Sequence, residues 1–454
     1  MPTIAILICV GVGLLASPPS ANADAWWSVP SSNGAIEGYL TTVSADPGQI
    51  VDVRINVPSA DTYRLRVFRL DQSVDGGTEV GCRPTCGVDR RGIRQPVATT
   101  DPLTNEIRAP WATTDSLRVG ARWASGYYIV QFVLTSGVHA GTGGFAPLIV
   151  LHKPGTKRAP MLVEIPFSTA AAYNTWGGLS AYSGGPWSEV VSLDRPFATG
   201  LLGGEYALLR FLAKHGLAAD FQTDLDTSRN PSSLLKYRLV AVAGHDEYWT
   251  QRTADAFYSA KAHGVNLAFF GANIGYWRTR LERGGRSIAI YKHGWRDPLG
   301  VAGLFREVYP ECHLVGIQHQ GGLLNWPEGD YTVAPGALSS PWFAGTGMRV
   351  GDTLAGLVSV EVDTVPNSFA VVGKTCPGRR VITLFNDNRG GDTLGDAKAI
   401  TYTARSGARI FSAGSLEFTG GLDDLGGRMP GGKSREDPRL ERFVLNMLKD
   451  LRGS

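Results

Sequence analysis

Tyr237-Arg238-Leu239-Val240-Ala241-Val242-Ala243, followed at once by Gly244-His245-Asp246-Glu247-Tyr248-Trp249, is an apolar run that stops on a cluster of groups able to do chemistry. So short an apolar run, closed by glycine, reads as a strand buried on both faces, the kind a parallel sheet covered by helices contains. In such a sheet ligands bind in the crevice beyond the carboxyl ends of the strands, where the loops diverge. Extended geometry sends His245 and Glu247 to one side and Asp246 and Tyr248 to the other. An imidazole and a carboxylate side by side can ligate a metal or share a proton with a bound water.

Outward from this strand the period supports an α/β reading. Met161-Leu162-Val163-Glu164-Ile165-Pro166-Phe167 is a further buried strand, and Tyr206 to Gly216 is a helix ending at a glycine. Gln251 to His263 is a second helix, with Gly264 after it, and Val265 to Gly271 the next strand, which continues the rhythm of a parallel sheet. A closing strand is expected at Ala408–Ser415 and an amphipathic helix at Glu436–Leu451. Between them, from about Pro310 to Leu384, short strands and turns return, which reads as a β-rich insertion or appended lobe.

The first third differs. Val51 to Val57 and Tyr63 to Leu70 alternate apolar with polar, and strands are also expected at Ser116–Val119, Tyr127–Leu134 and Phe145–Leu151. Short strands separated by Gly, Pro and Asp clusters over residues 25–153 predict a β-sandwich of immunoglobulin-like size. His152-Lys153-Pro154-Gly155-Thr156-Lys157 reads as the linker to the α/β part, residues 158–451.

Composition narrows the function. Lys+Arg 44 against Asp+Glu 41, with no basic stripe interleaved with aromatics, argues against nucleic acid as a partner. Residues 1–23 read as a secretory signal peptide: an uncharged apolar stretch from Ile4 to Ala16, then Ala21-Asn22-Ala23 as a small-residue cleavage site. No later stretch is apolar enough for a transmembrane helix, so a secreted or extracytoplasmic protein is expected. Beyond Cys9 the cysteines are Cys82, Cys86, Cys312 and Cys376, and in an exported chain two disulfides are expected, Cys82–Cys86 and Cys312–Cys376. A zinc site fits worse, since no second close cysteine pair exists.

Two more loops should face the crevice, because parallel strands end on one side. One is Ala171-Ala172-Tyr173-Asn174-Thr175-Trp176-Gly177-Gly178-Leu179-Ser180-Ala181-Tyr182, and the other runs from Phe269 through Asn273 to Trp277-Arg278-Thr279-Arg280. Together they bring Tyr173, Asn174, His245, Glu247, Asn273 and Arg278 towards one rim.

These segments, in this order over roughly Arg158 to Leu451, resemble the large (beta) subunit of N,N-dimethylformamidase and its C-terminal-domain relatives. The resemblance implies an immunoglobulin-like domain followed by a three-layer α/β domain of the class I glutamine-amidotransferase-like kind. It also implies a mononuclear non-haem iron, Fe(III), bound by two tyrosines and a glutamate, and hydrolysis of a small-molecule amide. Carried over, the glutamate is Glu247 and the assisting histidine His245. One tyrosine ligand is Tyr173, with Tyr182 a competitor in the same motif, and the other is Tyr128 in the sandwich. Glu361 matches a further acidic residue of the family's site, and Asn273 or Arg278 is placed to steady a developing oxyanion.

Phenolate and carboxylate oxygens are hard donors suited to Fe(III), and three protein ligands leave positions open for water and a substrate carbonyl. Against this stands a plainer reading of Tyr128, since a tyrosine in a sandwich strand is more often core than ligand. Departures from the resemblance are the shorter chain and the export signal. A non-catalytic secreted binder of glycans or cell-envelope components is the competing class, compatible with the 11 tryptophans. A metal-free hydrolase using Glu247 and His245 as acid and base is the third reading. The partners considered are a small-molecule amide or an envelope ligand, with a homo-oligomer beside them.

Overall fold

The computed structural model describes residues 28–71, 76–82, 85–182, 185–197, 204–319, 326–365, 380–387, 396–424 and 434–453. The expected signal peptide and Cys376 lie outside the described residues. Glu37–Leu40, Ile50–Asn56 and Asp115–Arg118 form one antiparallel sheet, with Ile50–Asn56 in the middle. A second sheet has Gly126–Leu134 antiparallel between Thr62–Arg69 and Gly143–Val150. Alternation explains the facing: Val51, Val53 and Ile55 are buried, while Asp52, Arg54 and Asn56 between them stay half-buried. The two sheets share a core of these residues with Leu65, Val67, Val130, Phe132 and Leu148. Each such side chain taken from water contributes about 1.5–3 kcal/mol.

The second sheet is covered on its other face too. Phe68, Tyr127, Ile129 and Ile149 join the core of the α/β part, against the Gly204–Lys214 helix. The sandwich is therefore packed onto the α/β part through a shared core. Ser125 Oγ accepts the Phe221 N–H at 2.7 Å, and Trp176 Nε1 donates to Glu37 at 2.7 Å, which pins the two parts at separate points.

The α/β part is built on a sheet of nine strands among the described residues. Ala219–Thr223, Met161–Ile165, Leu239–Val242, Asn266–Phe269 and Arg409–Ser412 run parallel in that order. Leu239–Val242 is buried throughout, as an apolar run at the centre of a covered sheet should be. The Gln251–Ala262 helix starts where Thr250 Oγ1 accepts the Thr253 N–H at 3.1 Å. The Pro438–Arg452 helix follows an Asp437 cap and buries Leu440, Phe443, Val444, Met447, Leu448 and Leu451, a three-to-four spacing that lays one stripe on the core.

Two expectations change. The β-rich stretch is not a separate lobe: Lys398–Thr403, Ile382–Asp387, Trp326–Val333 and Thr353–Val360 continue the same sheet in antiparallel sense. Hairpin-like strands read as a unit of their own along the chain, but Lys398–Thr403 pairs with Arg409–Ser412 and Trp326–Val333 with Ile382–Asp387, which joins the whole set to the parallel strands. The segment after Met161–Ile165 is not a plain loop either but a short helix, Phe167–Tyr173. A smaller sheet, with Tyr248–Thr250, Trp277–Glu282, Ser287–Ala289 and Val190–Ser192, lies beyond the ends of the parallel strands.

Cys82 and Cys86 are joined, with Cα atoms 4.9 Å apart, and Cys312 is also disulfide-bonded. No helix among the described residues is long and apolar enough to cross a membrane.

Candidate functional site

Three neighbouring parallel strands, Met161–Ile165, Leu239–Val242 and Asn266–Phe269, end on one side and aim three connections at one point. The connections touch. A Cβ on Gly271 would overlap the Gly244 carbonyl oxygen, so the second and third loops run backbone against backbone. Thr169 Oγ1, on the Phe167–Tyr173 helix, accepts the Glu247 N–H at 2.9 Å and ties the first connection to the second. Asn273 takes a left-handed φ of 55°, a conformation asparagine tolerates, and its N–H is held by the Asp363 carboxylate at 2.9 and 3.0 Å.

What these contacts assemble is a carboxylate ringed by donors. Glu247, 2 % exposed, accepts the Tyr173 hydroxyl at 3.0 Å and the Tyr182 hydroxyl on its other oxygen. His245 Nε2 lies 3.0 Å from Glu247 and 3.5 Å from Glu361. Glu361 in turn accepts Asn273 Nδ2 at 2.8 Å and lies 3.4 Å from the Tyr173 hydroxyl. The rings of Tyr173 and Tyr182 stack with centroids 4.2 Å apart. Above Tyr182 sits the Lys292 ammonium, 3.0 Å from the ring centroid and 5.4 Å from that of Trp277. His245, Glu247 and Glu361 each bring one ligand atom within 4.8 Å of the others.

The charges are mutually supporting. Burial alone would lower the His245 pKa, but Glu361 and Glu247 outweigh it and hold it at about 9, so the imidazole is protonated near neutral pH. Against its own burial, Glu247 is held below the usual carboxylate range by His245, Tyr182 and Lys292. Burial lowers Lys292 to about 8 while Glu247 and Glu361 resist. Burial and then the Glu247 charge push both Tyr173 and Tyr182 far above the phenol range. A cation bound between them would invert that balance, because it stabilises the phenolate form directly.

Asp246 turns away from Glu247, as alternation requires, into a buried set with Glu164 and Asp224; burial and these like charges raise it well above a normal aspartate. Tyr248, expected on that side, instead packs its ring edge-on to Tyr182 at 6.4 Å.

Of the residues singled out in the sequence, the structure brings together Tyr173, Tyr182, His245, Glu247, Asn273 and Glu361. It does not bring Tyr128. That side chain lies in the sandwich core, stacked on Trp123 at 5.0 Å, its hydroxyl donating to the Ala124 carbonyl at 2.9 Å. Burial pushes its pKa up to about 12, and no cluster residue reaches it. The second phenol beside Glu247 is instead Tyr182, which the sequence offered as a competitor to Tyr173. Arg278 is also elsewhere: it alternates with Trp277 along its strand, opposite Trp249, and none of the bonds among the described residues joins it to the cluster. Asn174 is structural, donating to the Pro196 carbonyl at 2.9 Å.

Lys292 was missed. It follows the apolar run Ser287-Ile288-Ala289-Ile290, so the signal that picked out His245, polar groups where a buried strand stops, was present there too.

No curated protein matches the chain. The sequence model of one family covers residues 64–433, most of the sandwich and of the α/β part with every residue of the cluster. The chain belongs to the N,N-dimethylformamidase beta subunit-like, C-terminal family.

Proposed function

We propose that the chain is a secreted, mononuclear iron-dependent hydrolase of small amide C–N bonds, with Tyr173, Tyr182 and Glu247 holding the metal. The observation that carries this reading is the convergence of two stacked phenols on the two oxygens of one buried carboxylate. The donor set fits the ion. Three oxygens that are hard and anionic once ionised suit Fe(III), and His245 Nδ1 and Asn273 Oδ1 are buried without hydrogen-bond partners beside them, polar capacity that a solvated ligand would use.

A ferric ion held there would supply Lewis-acid polarisation of an amide carbonyl and a nucleophilic water near neutral pH. The chain's own residues then handle the protons and the charge. Glu361, oriented by Asn273 Nδ2, accepts a proton from the attacking water, and the His245 imidazolium, shared between Glu247 and Glu361, delivers one to the departing amine nitrogen. Lys292 places a positive charge on the face of Tyr182, which favours its phenolate and limits how much negative charge the cluster must carry. Trp277 packs under the Lys292 side of the site and helps keep water from it.

Kinship of the two-sheet part with immunoglobulin-like domains, and of the α/β part with the glutamine-amidotransferase-like fold, belongs to the same proposal. So does export, which rests on residues 1–23.

The test is elemental analysis and a visible absorption spectrum of mature protein purified without chelators, beside Glu247→Ala. About one iron per chain and a phenolate-to-iron colour, both lost in the variant, with hydrolysis of small amides by the wild type, is the expected result. A colourless, metal-free protein that the substitution does not change would overturn it and leave the crevice to a binding role.

A further inference from the structure

Next to the cluster, and sharing Lys292 with it, lies a second cavity of about 190 Å³. Its walls include Ala181, which precedes the proposed ligand Tyr182, together with Trp187, Glu189, His293 and Arg296. Lys292 stands at the junction: its ammonium is 3.0 Å from the Tyr182 ring centroid on one side and 5.7 Å from that of Trp187 on the other. The cavity thus abuts the cluster through Ala181 and Lys292.

The lining is not that of a pocket for a plain alkyl amide. A water's share of liquid volume is roughly 30 Å³, so the cavity exceeds what an amide of three or four heavy atoms would fill. Lys292, His293 and Arg296 all line the cavity, with Glu189 as the acidic residue among the lining residues described, and Glu189 is already bound to Arg296, Oε1 to Nη1 at 2.7 Å. That contact fixes one edge of the guanidinium and orients the fork, the geometry by which arginine takes a carboxylate. Trp187 is 49 % exposed, a large aromatic left partly in water beside two cationic side chains. Such a ring offers a flat wall to a planar acyl group or to the chain leading to an anion.

Resting on the hydrolase reading above, we infer that the substrate is an amide with a carboxylate at its remote end, of the N-acylamino-acid class. Its C–N bond lies at the cluster, and its carboxylate lies in this cavity against Arg296 and Lys292. Arg296 is then a specificity residue. It sits in the short turn Gly294–Arg296 and is 44 % exposed at its side chain, so replacing it removes no core side chain and disturbs only its ion pair with Glu189.

The experiment compares binding of N-formylglycine and of neutral N-methylformamide to mature full-length protein by ligand-observed NMR titration, for wild type, Arg296→Met and Arg296→Lys. The wild type is expected to bind the carboxylate at least tenfold tighter. That ratio should fall below threefold in Arg296→Met, stay intermediate in Arg296→Lys, and shrink with added salt. Equal binding of the two ligands, or a ratio indifferent to Arg296→Met, overturns the inference. The two readings fail separately. An iron-bearing protein that hydrolyses neutral amides without any carboxylate preference keeps the hydrolase and loses the anion site. An Arg296-dependent preference in a protein that takes no iron keeps the anion site and loses the hydrolase.

Discussion

At the scale of single residues, the tyrosines separate proposed ligand from core. Tyr173→Phe and Tyr182→Phe each remove an oxygen from Glu247, so each is expected to abolish or strongly shift the visible band. Tyr128→Phe loses a hydrogen bond to a carbonyl and should cost about 1 kcal/mol in denaturant unfolding with the band unchanged. Glu205 offers a pH test. Burial raises its pKa to about 7, so its folded form prefers the proton. Its contribution is therefore fully present below the unfolded glutamate value of about 4.3 and is lost as pH rises through 7. Glu205→Gln should match the wild type at pH 4 and exceed it by roughly 2–3 kcal/mol at pH 8. His245 and Glu247 were legible in the sequence because alternation and the end of an apolar run suffice to place them. Tyr128 was legible as core, since a tyrosine in a sandwich strand is more often packed than ligating, and its ligand role came from the resemblance alone. Tyr182 stood in the right motif as a competitor to Tyr173, and both belong to the cluster because the segment turns back on itself.

At the scale of elements, the site depends on two loops that touch. Gly271→Ala would drive a methyl group into the Gly244 carbonyl and push the His245 and Asn273 loops apart. The expected cost is roughly 1–3 kcal/mol of stability, together with a weakened visible band at equal protein concentration. That contact could not be foreseen from spacing, because it is made between connections that only the order of strands in the sheet brings side by side. The same holds for Lys292, delivered by an antiparallel partner strand in the smaller sheet, and for the β-rich stretch, whose strands extend the central sheet. Most βαβ elements were readable to within two or three residues of their ends, since their apolar periods and caps are local, but the parallel edge strand Ala219–Thr223 was not.

At the scale of the molecule, the sandwich is not a pendant module. Phe68, Tyr127, Ile129 and Ile149 face the α/β core, so a fragment ending near Leu151 would expose them all. It is expected to aggregate or to bind a hydrophobic dye when expressed alone, whereas the mature full-length chain should unfold in one transition by near-ultraviolet and far-ultraviolet signals. The cluster also spans the chain: Tyr173 meets Glu247 across 74 positions and Glu361 across 188. Closing loops of that length is slow and comes after local structure forms. The colour of the bound metal would thus be a stopwatch. After dilution from denaturant into iron, helical signal should return first and absorbance last, so that the final visible phase dates the moment at which distant thirds of the chain have found one another.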